Sequence, residues 1–283
     1  MRAGVKPVAA FLVGAVLLGT ACARVSASRQ GIDHPTGPHD LILRIDLQGG
    51  FIAPQAQLRR VPLLSLSGDG RLVVPGPQIE IYPGPALPNL QVMTISDAGI
   101  QAILSAARTA GLLGPNLTYS DQRIADAPTT VFTVVAAGAR HVVSVYALGD
   151  GQRTSGAVEK LAAFQAKMTD LPSWLPAGSL GPEHAFRTDE LRVYVFPYQR
   201  QDDLIQPVKD WPGGSFAGFR RLADVSYLRC GTVAGSALPA VLSAAQRANE
   251  LTPWRADGRL WSLVFRPLLP DESGCTSPSN ASA

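Results

Sequence analysis

Apolar and polar positions divide this chain into three regimes: one unbroken apolar run, a polar stretch without a period, and then segments that alternate or repeat helically. Val8 to Leu18 (VAAFLVGAVLL) is the unbroken run. It is shorter than the roughly 20 apolar residues needed to span a bilayer. Residues 22–40 carry Gly and Pro and no apolar period, which predicts a flexible spacer. Leu41 to Leu47 then alternates, with Leu41, Leu43, Ile45 and Leu47 on one face and Arg44 and Asp46 on the other, a half-buried strand that Gly49-Gly50 ends. Val61 to Leu66 and Arg71 to Val74 form a hairpin around Ser67-Gly68-Asp69-Gly70. Prolines at 75, 77, 83, 85 and 88 limit Gln78 to Tyr82 to an edge strand, because proline cannot donate to a ladder.

Helical spacing begins at Ser96, a capping residue, with Asp97 in the first turn and Ile100, Ile103, Leu104 and Ala107 on one stripe. Val131 to Ala136 and His141 to Tyr146 predict a second hairpin, with His141 facing solvent. Val158, Leu161, Phe164 and Met168 mark a helix over about 156–168. Residues 172–188 have little period and several Pro and Gly, and read as an interdomain linker. Beyond them, Leu191 to Phe196, Val225 to Cys230 and Leu260 to Phe265 predict strands, and Ser236 to Ala248 a helix. The expected fold is α+β, a mostly antiparallel sheet with a few packed helices. Its parts are an α+β domain over 41–171, a second α+β portion over 189–270 and a polar tail over 271–283. Leu104 to Ala110 echoes Leu242 to Ala248, which leaves open two similar α+β halves.

The N-terminal run changes the picture from fold to address. Arg2 and Lys6 precede it, and Gly19-Thr20-Ala21-Cys22 follows, the layout of a secretory signal. The first 22 residues resemble the signal of bacterial lipoproteins, whose peptidase cuts before a cysteine diacylated through its sulfur. That resemblance implies a signal over 1–21, lipidation of Cys22 and a membrane partner reached through the anchor. Gly19 departs from it, since Leu usually stands three residues before the cysteine and here lies one place earlier, at Leu18. Ala21-Cys22-Ala23 also offers an ordinary cut after Ala23, which would release a soluble secreted protein.

Cysteine and charge counts agree with export. With Cys22 lipidated or removed, Cys230 and Cys275 remain, an even pair that reads as a disulfide in an oxidising space. The full chain carries 25 basic and 22 acidic residues with no basic run longer than two, so no stripe tracks a phosphate backbone and nucleic acid is not an expected partner.

The expected chemistry is sparse. Gly213-Gly214-Ser215 lacks the buried strand that a nucleophile elbow requires, because Pro207 and Pro212 precede it. His34, His39, His141 and His184 lack metal-ligand spacing, and Asp69-Gly70, Asp150-Gly151 and Asp257-Gly258 lack the alternating oxygens of a calcium loop. No catalytic residue, metal or cofactor is assigned. The long irregular stretch from Gln199 to Gly218 carries Trp211, Phe216 and Phe219, the expected binding surface.

Asp69-Gly70-Arg71, Tyr82-Pro83, the helix at Ser96, Asp126-Ala127-Pro128-Thr129-Thr130 and His141 to Tyr146 resemble the secreted, lipid-anchored proteins of high-GC Gram-positive bacteria that have no assigned activity. The resemblance implies a compact α+β domain. The expected function is an exported, lipid-anchored cell-envelope protein acting as a binding or structural module, with a protein or envelope ligand. The alternative is a secreted, soluble, hydrolase-like enzyme with a site assembled from separate loops.

Overall fold

Strand alternation in the first half produces a sheet with two unlike faces. The structure is a computed structural model and describes residues 31–120, 123–149, 156–222 and 225–275, together with positions 1 and 4. In chain order the first half comprises β1 (Leu41–Gly49), α1 (Pro54–Arg59), β2 (Leu64–Ser67), β3 (Arg71–Pro75), β4 (Leu90–Thr94), α2 (Asp97–Thr109), β5 (Leu117–Tyr119), β6 (Pro128–Ala136), β7 (Ala139–Tyr146), α3 (Gly156–Thr169) and β8 (His184–Ala185). Its strands pair in the order β5-β7-β6-β1-β2-β3-β4-β8. All pairs are antiparallel except β5 with β7.

Register puts Val134, Leu43, Leu66 and Leu72 in one row across four strands. That face is covered by Ile100, Ile103 and Leu104 of α2 and by Val158, Leu161 and Phe164 of α3, one continuous core. Ser96 starts α2 as predicted, its hydroxyl accepting from the Gly99 amide. The neighbouring row, Thr133, Arg44, Ser65 and Val73, lies on the opposite face, which is polar towards its middle.

The second half adds β9 (Glu190–Pro197), β10 (Lys209–Asp210), β11 (Arg220–Leu222), β12 (Val225–Ala234), α4 (Leu238–Gln246), β13 (Pro253–Ala256) and β14 (Arg259–Pro267). They form a second sheet in the order β10-β13-β14-β9-β12-β11. The architecture is α+β with two mostly antiparallel sheets. The helical echo falls on α2 and α4, and Ile100, Ile103 and Ala107 are buried as Leu238, Val241 and Ala245 are. The hairpins beside them attach in opposite order: β6, the first strand of its hairpin, pairs with β1, whereas β14, the second of its own, pairs with β9. The two halves therefore share a helix face but not a strand order.

Three expected boundaries move. Residues 32–40 are a strap fixed across one end of the first sheet rather than part of a free spacer. Gln101 bonds both backbone groups of Ile32, at 2.7 and 3.0 Å. The Asp33 carbonyl accepts from Ala137 at 2.7 Å, and the Asp40 carbonyl from Gly68 at 2.8 Å. Backbone groups carry most of these contacts, so a polar composition did not reveal them. The rest of the expected spacer, residues 22–30, lies outside the described residues. Residues 172–188 are not a free linker either, because Leu180 bridges Ile95 and β8 extends the sheet beyond β4. Gln78 to Tyr82 form no strand.

Candidate binding surface

The residues expected to form a surface are mostly core. Trp211 and Phe216 are buried, and Phe219 is half-buried against them. Trp211 stacks on Phe265 and meets Trp254 edge-on, so the long loop turns its large rings inward to fill the second sheet's apolar face. Phe216 is locked there by its backbone, whose amide donates to the Asp257 carboxylate at 2.9 Å. The Ser215 hydroxyl and that amide hold the Asp257 carboxyl below its usual range. This aromatic cluster is a correction to the expected binding surface: an apolar ring in a loop marks a core contact as readily as an exposed one.

The expected polar tail is likewise partly inside. Residues 268–275 run over the polar face of the first sheet, gripped by arginines from both sheets. Arg266 of β14 makes a two-pronged pair with Glu272, and Arg44 of β1 reaches Asp271 and Glu272. Arg192 of β9 donates to the Gly274 carbonyl at 2.6 Å, and Arg220 to the Cys275 carbonyl at 2.9 Å. Cys275 is bonded to Cys230 of β12, the disulfide that cysteine counting predicts. Burial pushes the Glu272 carboxyl up, but the charge and hydrogen bonds of Arg266, with Arg44 behind them, outweigh it and hold Glu272 at about 2. Burial dominates at Asp46 and Asp271 and raises both. Residues 276–283 of the expected tail lie outside the described residues.

The four histidines are dispersed, and three of them bond backbone carbonyls. Nδ1 of His34, His39 and His141 lies within 2.8 Å of the carbonyls of Pro35, Pro270 and Gly114 respectively. His141 is half-buried rather than facing solvent, since the 114–116 segment folds over it. Among the described residues no group of three His, Cys, Asp or Glu is placed to hold a metal ion. A cavity of about 200 Å³ lies between α2, β5, β7 and α3, lined by Thr109, Leu117, Tyr119, Val143, Lys160 and Leu161. It is smaller than the roughly 300–1,000 Å³ of most small-molecule sites.

Exposed apolar residues gather elsewhere. Ile79, Ile81 and Tyr82 are 69, 59 and 64 % exposed, in the loop that leaves β3. The loop is pinned at both ends. Gln78 and Asn89 cross-bond its base, with Gln78 donating to the Gly76 carbonyl and Asn89 to the Pro77 carbonyl. At its far end Gly84 donates to the Glu250 carboxylate at 2.8 Å and accepts from the Glu250 amide at 2.9 Å, and Arg59 fixes that carboxylate. The following residue, Pro85, bridges Asn249, whose side chain bonds Gln206 at 2.6 Å. Gln206 sits between Ile205, 62 % exposed, and Val208, 42 % exposed. The long loop thus contributes to an exposed apolar rim, through Ile205 and Val208 instead of through its rings.

Comparison with protein-family models, curated proteins and solved structures found no match. The rim is made of apolar side chains held in water. Its signal in the sequence was Ile79-Glu80-Ile81-Tyr82, a strand-like alternation between prolines that bar it from a ladder. A loop pinned at both ends thus holds apolar side chains outward that no sheet buries.

Proposed function

We propose that this protein is an exported, lipid-anchored module of the cell envelope that binds through the apolar rim formed by Ile79, Ile81, Tyr82 and Ile205. The observation that carries the binding reading is the exposure of these side chains on a loop whose two ends are fixed by Gln78, Asn89 and Glu250. Fixing the loop lowers the ordering cost that a flexible surface pays on association. The anchor reading rests on the leader and Cys22, with the Cys230 to Cys275 disulfide in keeping with an oxidising compartment. No helix among the described residues is long and apolar enough to cross a membrane.

Mass spectrometry of the protein recovered from its own host tests the anchor. An N-terminal peptide beginning at an acylated Cys22, absent from the Cys22→Ala variant, is the expected result. A peptide beginning at unmodified Arg24 contradicts it and returns the protein to the soluble, secreted alternative.

A further inference from the structure

The two apolar segments of the rim come from different halves of the fold. Ile79, Ile81 and Tyr82 lie between β3 and β4 of the first sheet, and Ile205 and Val208 between β9 and β10 of the second. One turn, between α4 and β13, holds the base of both. Its successive residues Ala248, Asn249 and Glu250 meet Ala86, Pro85 and Gly84 in antiparallel order. The Ala248 carbonyl accepts from Ala86 at 3.1 Å, Asn249 bridges Pro85, and Glu250 bonds Gly84 through both its amide and its carboxylate. Ala86 is itself buried in the aromatic core of the second sheet, so a loop that starts on the first sheet is rooted in the second half.

Asn249 ties in the other segment. Its side-chain carbonyl accepts from the Leu251 amide at 3.0 Å and from the Thr252 hydroxyl at 3.2 Å, which aims its amide group at Gln206, whose Oε1 accepts at 2.6 Å. Gln206 directly follows Ile205 and donates to the Leu204 carbonyl, so this bond fixes the backbone around Ile205. Glu250 is braced from a third element, because Arg59 in the last turn of α1 donates to its Oε2 at 2.8 Å while Oε1 accepts from Gly84. A charge-assisted bond of this kind holds the carboxylate where it meets the loop.

We infer that the rim is one composite surface organised by the α4–β13 turn, with Glu250 and Asn249 as positioning residues that set the spacing of its two segments. This rests on the binding reading above and is independent of the anchor. Segments fixed to one turn are ordered before a partner arrives, so the second adds its contacts without a second ordering cost. Loosening either segment therefore weakens the hold on both.

Photo-crosslinking in intact host cells tests this, with benzoylphenylalanine placed in the full chain at position 81 and, separately, at position 205. The expected result is an adduct of the same protein from both positions. Glu250→Ala frees Gly84 and leaves residues 204–208 untouched, yet should lower both adducts about tenfold, the loss expected for one hydrogen bond to a charged group. Glu250→Gln keeps an oxygen for the Gly84 amide and should restore about half of the yield. Arg59→Met leaves the turn itself intact and should lower both adducts about twofold, as for a partly exposed ion pair. A merely local structural role would lower the adduct at 81 alone, so an unchanged adduct at 205 overturns the inference, as do adducts of different proteins at the two positions. Absence of any adduct from the otherwise unchanged chain removes the binding reading and this inference with it. Adducts at both positions that withstand Glu250→Ala and Arg59→Met remove the positioning role and leave the binding reading standing.

Discussion

Glu272 and Asp46 lie in one charged cluster, and the balance of burial against neighbours sends them in opposite directions. Glu272, held at about 2 against its usual 4.5, contributes stability that is full above about pH 4.5 and is lost as pH falls towards 2. Two and a half units correspond to about 3 kcal/mol. Asp46 and Asp271 are raised, so their ionisation as pH climbs through the carboxylate range costs stability and offsets part of that gain. Glu272→Gln leaves the Arg266 guanidinium buried without its anion and should cost about 3–5 kcal/mol at pH 7 in urea unfolding. Asp46→Asn should hold or raise stability at pH 7 and steepen the loss between pH 7 and pH 2. A loss at Asp46→Asn comparable to that at Glu272→Gln would show that burial does not dominate at Asp46.

Elements were legible where a period is long and illegible where backbone bonds replace side-chain pattern. The stripe from Ile100 to Ala107 and the alternation from Leu41 to Leu47 each gave an element of the right kind, because a core on one side imposes the period. Helix α1 and strand β4 were missed, the first six residues long and the second preceded by a crowd of prolines. The strap was missed because its sequence is polar and its attachment is mainly to carbonyls and amides. It passes so close to Gly68 that a Cβ there would press on the backbone of Gly37 and Pro35. Gly68→Ala should therefore loosen the strap, increasing proteolytic cleavage within residues 32–40 while the aromatic core of the second sheet keeps its fluorescence. Unchanged cleavage would mean that the close approach does not hold the strap.

The C-terminal segment illustrates the same limit with one exception, since cysteine counting found the pair that its polarity concealed. A sequence separation of 45 gives about 4 kcal/mol from loop closure. Replacing both Cys230 and Cys275 by Ser should lower stability by about that amount, measured by denaturant unfolding, with the arginine grip on residues 271–275 still in place. A change below about 1 kcal/mol would show that the arginines, not the crosslink, secure the segment.

At the scale of the whole molecule, each sheet buries its rings and aliphatic rows against helices, and the polar segment from both termini closes what remains. Trp211 and Phe216 were misjudged because a sequence shows that a loop is aromatic but not which way it folds. Ile79, Ile81 and Tyr82 were nearer to hand, since prolines that forbid a ladder leave an apolar alternation nothing to pack on. What the sequence alone could not supply was the pinning of that loop at both ends by Gln78, Asn89 and Glu250.

Binding through the rim is tested most directly by photo-crosslinking in intact host cells, with benzoylphenylalanine at position 81 and, separately, at exposed position 139 of β7. A discrete adduct from position 81 and none of that mass from position 139 is the predicted result. No adduct from position 81, or the same adduct from both positions, would contradict it.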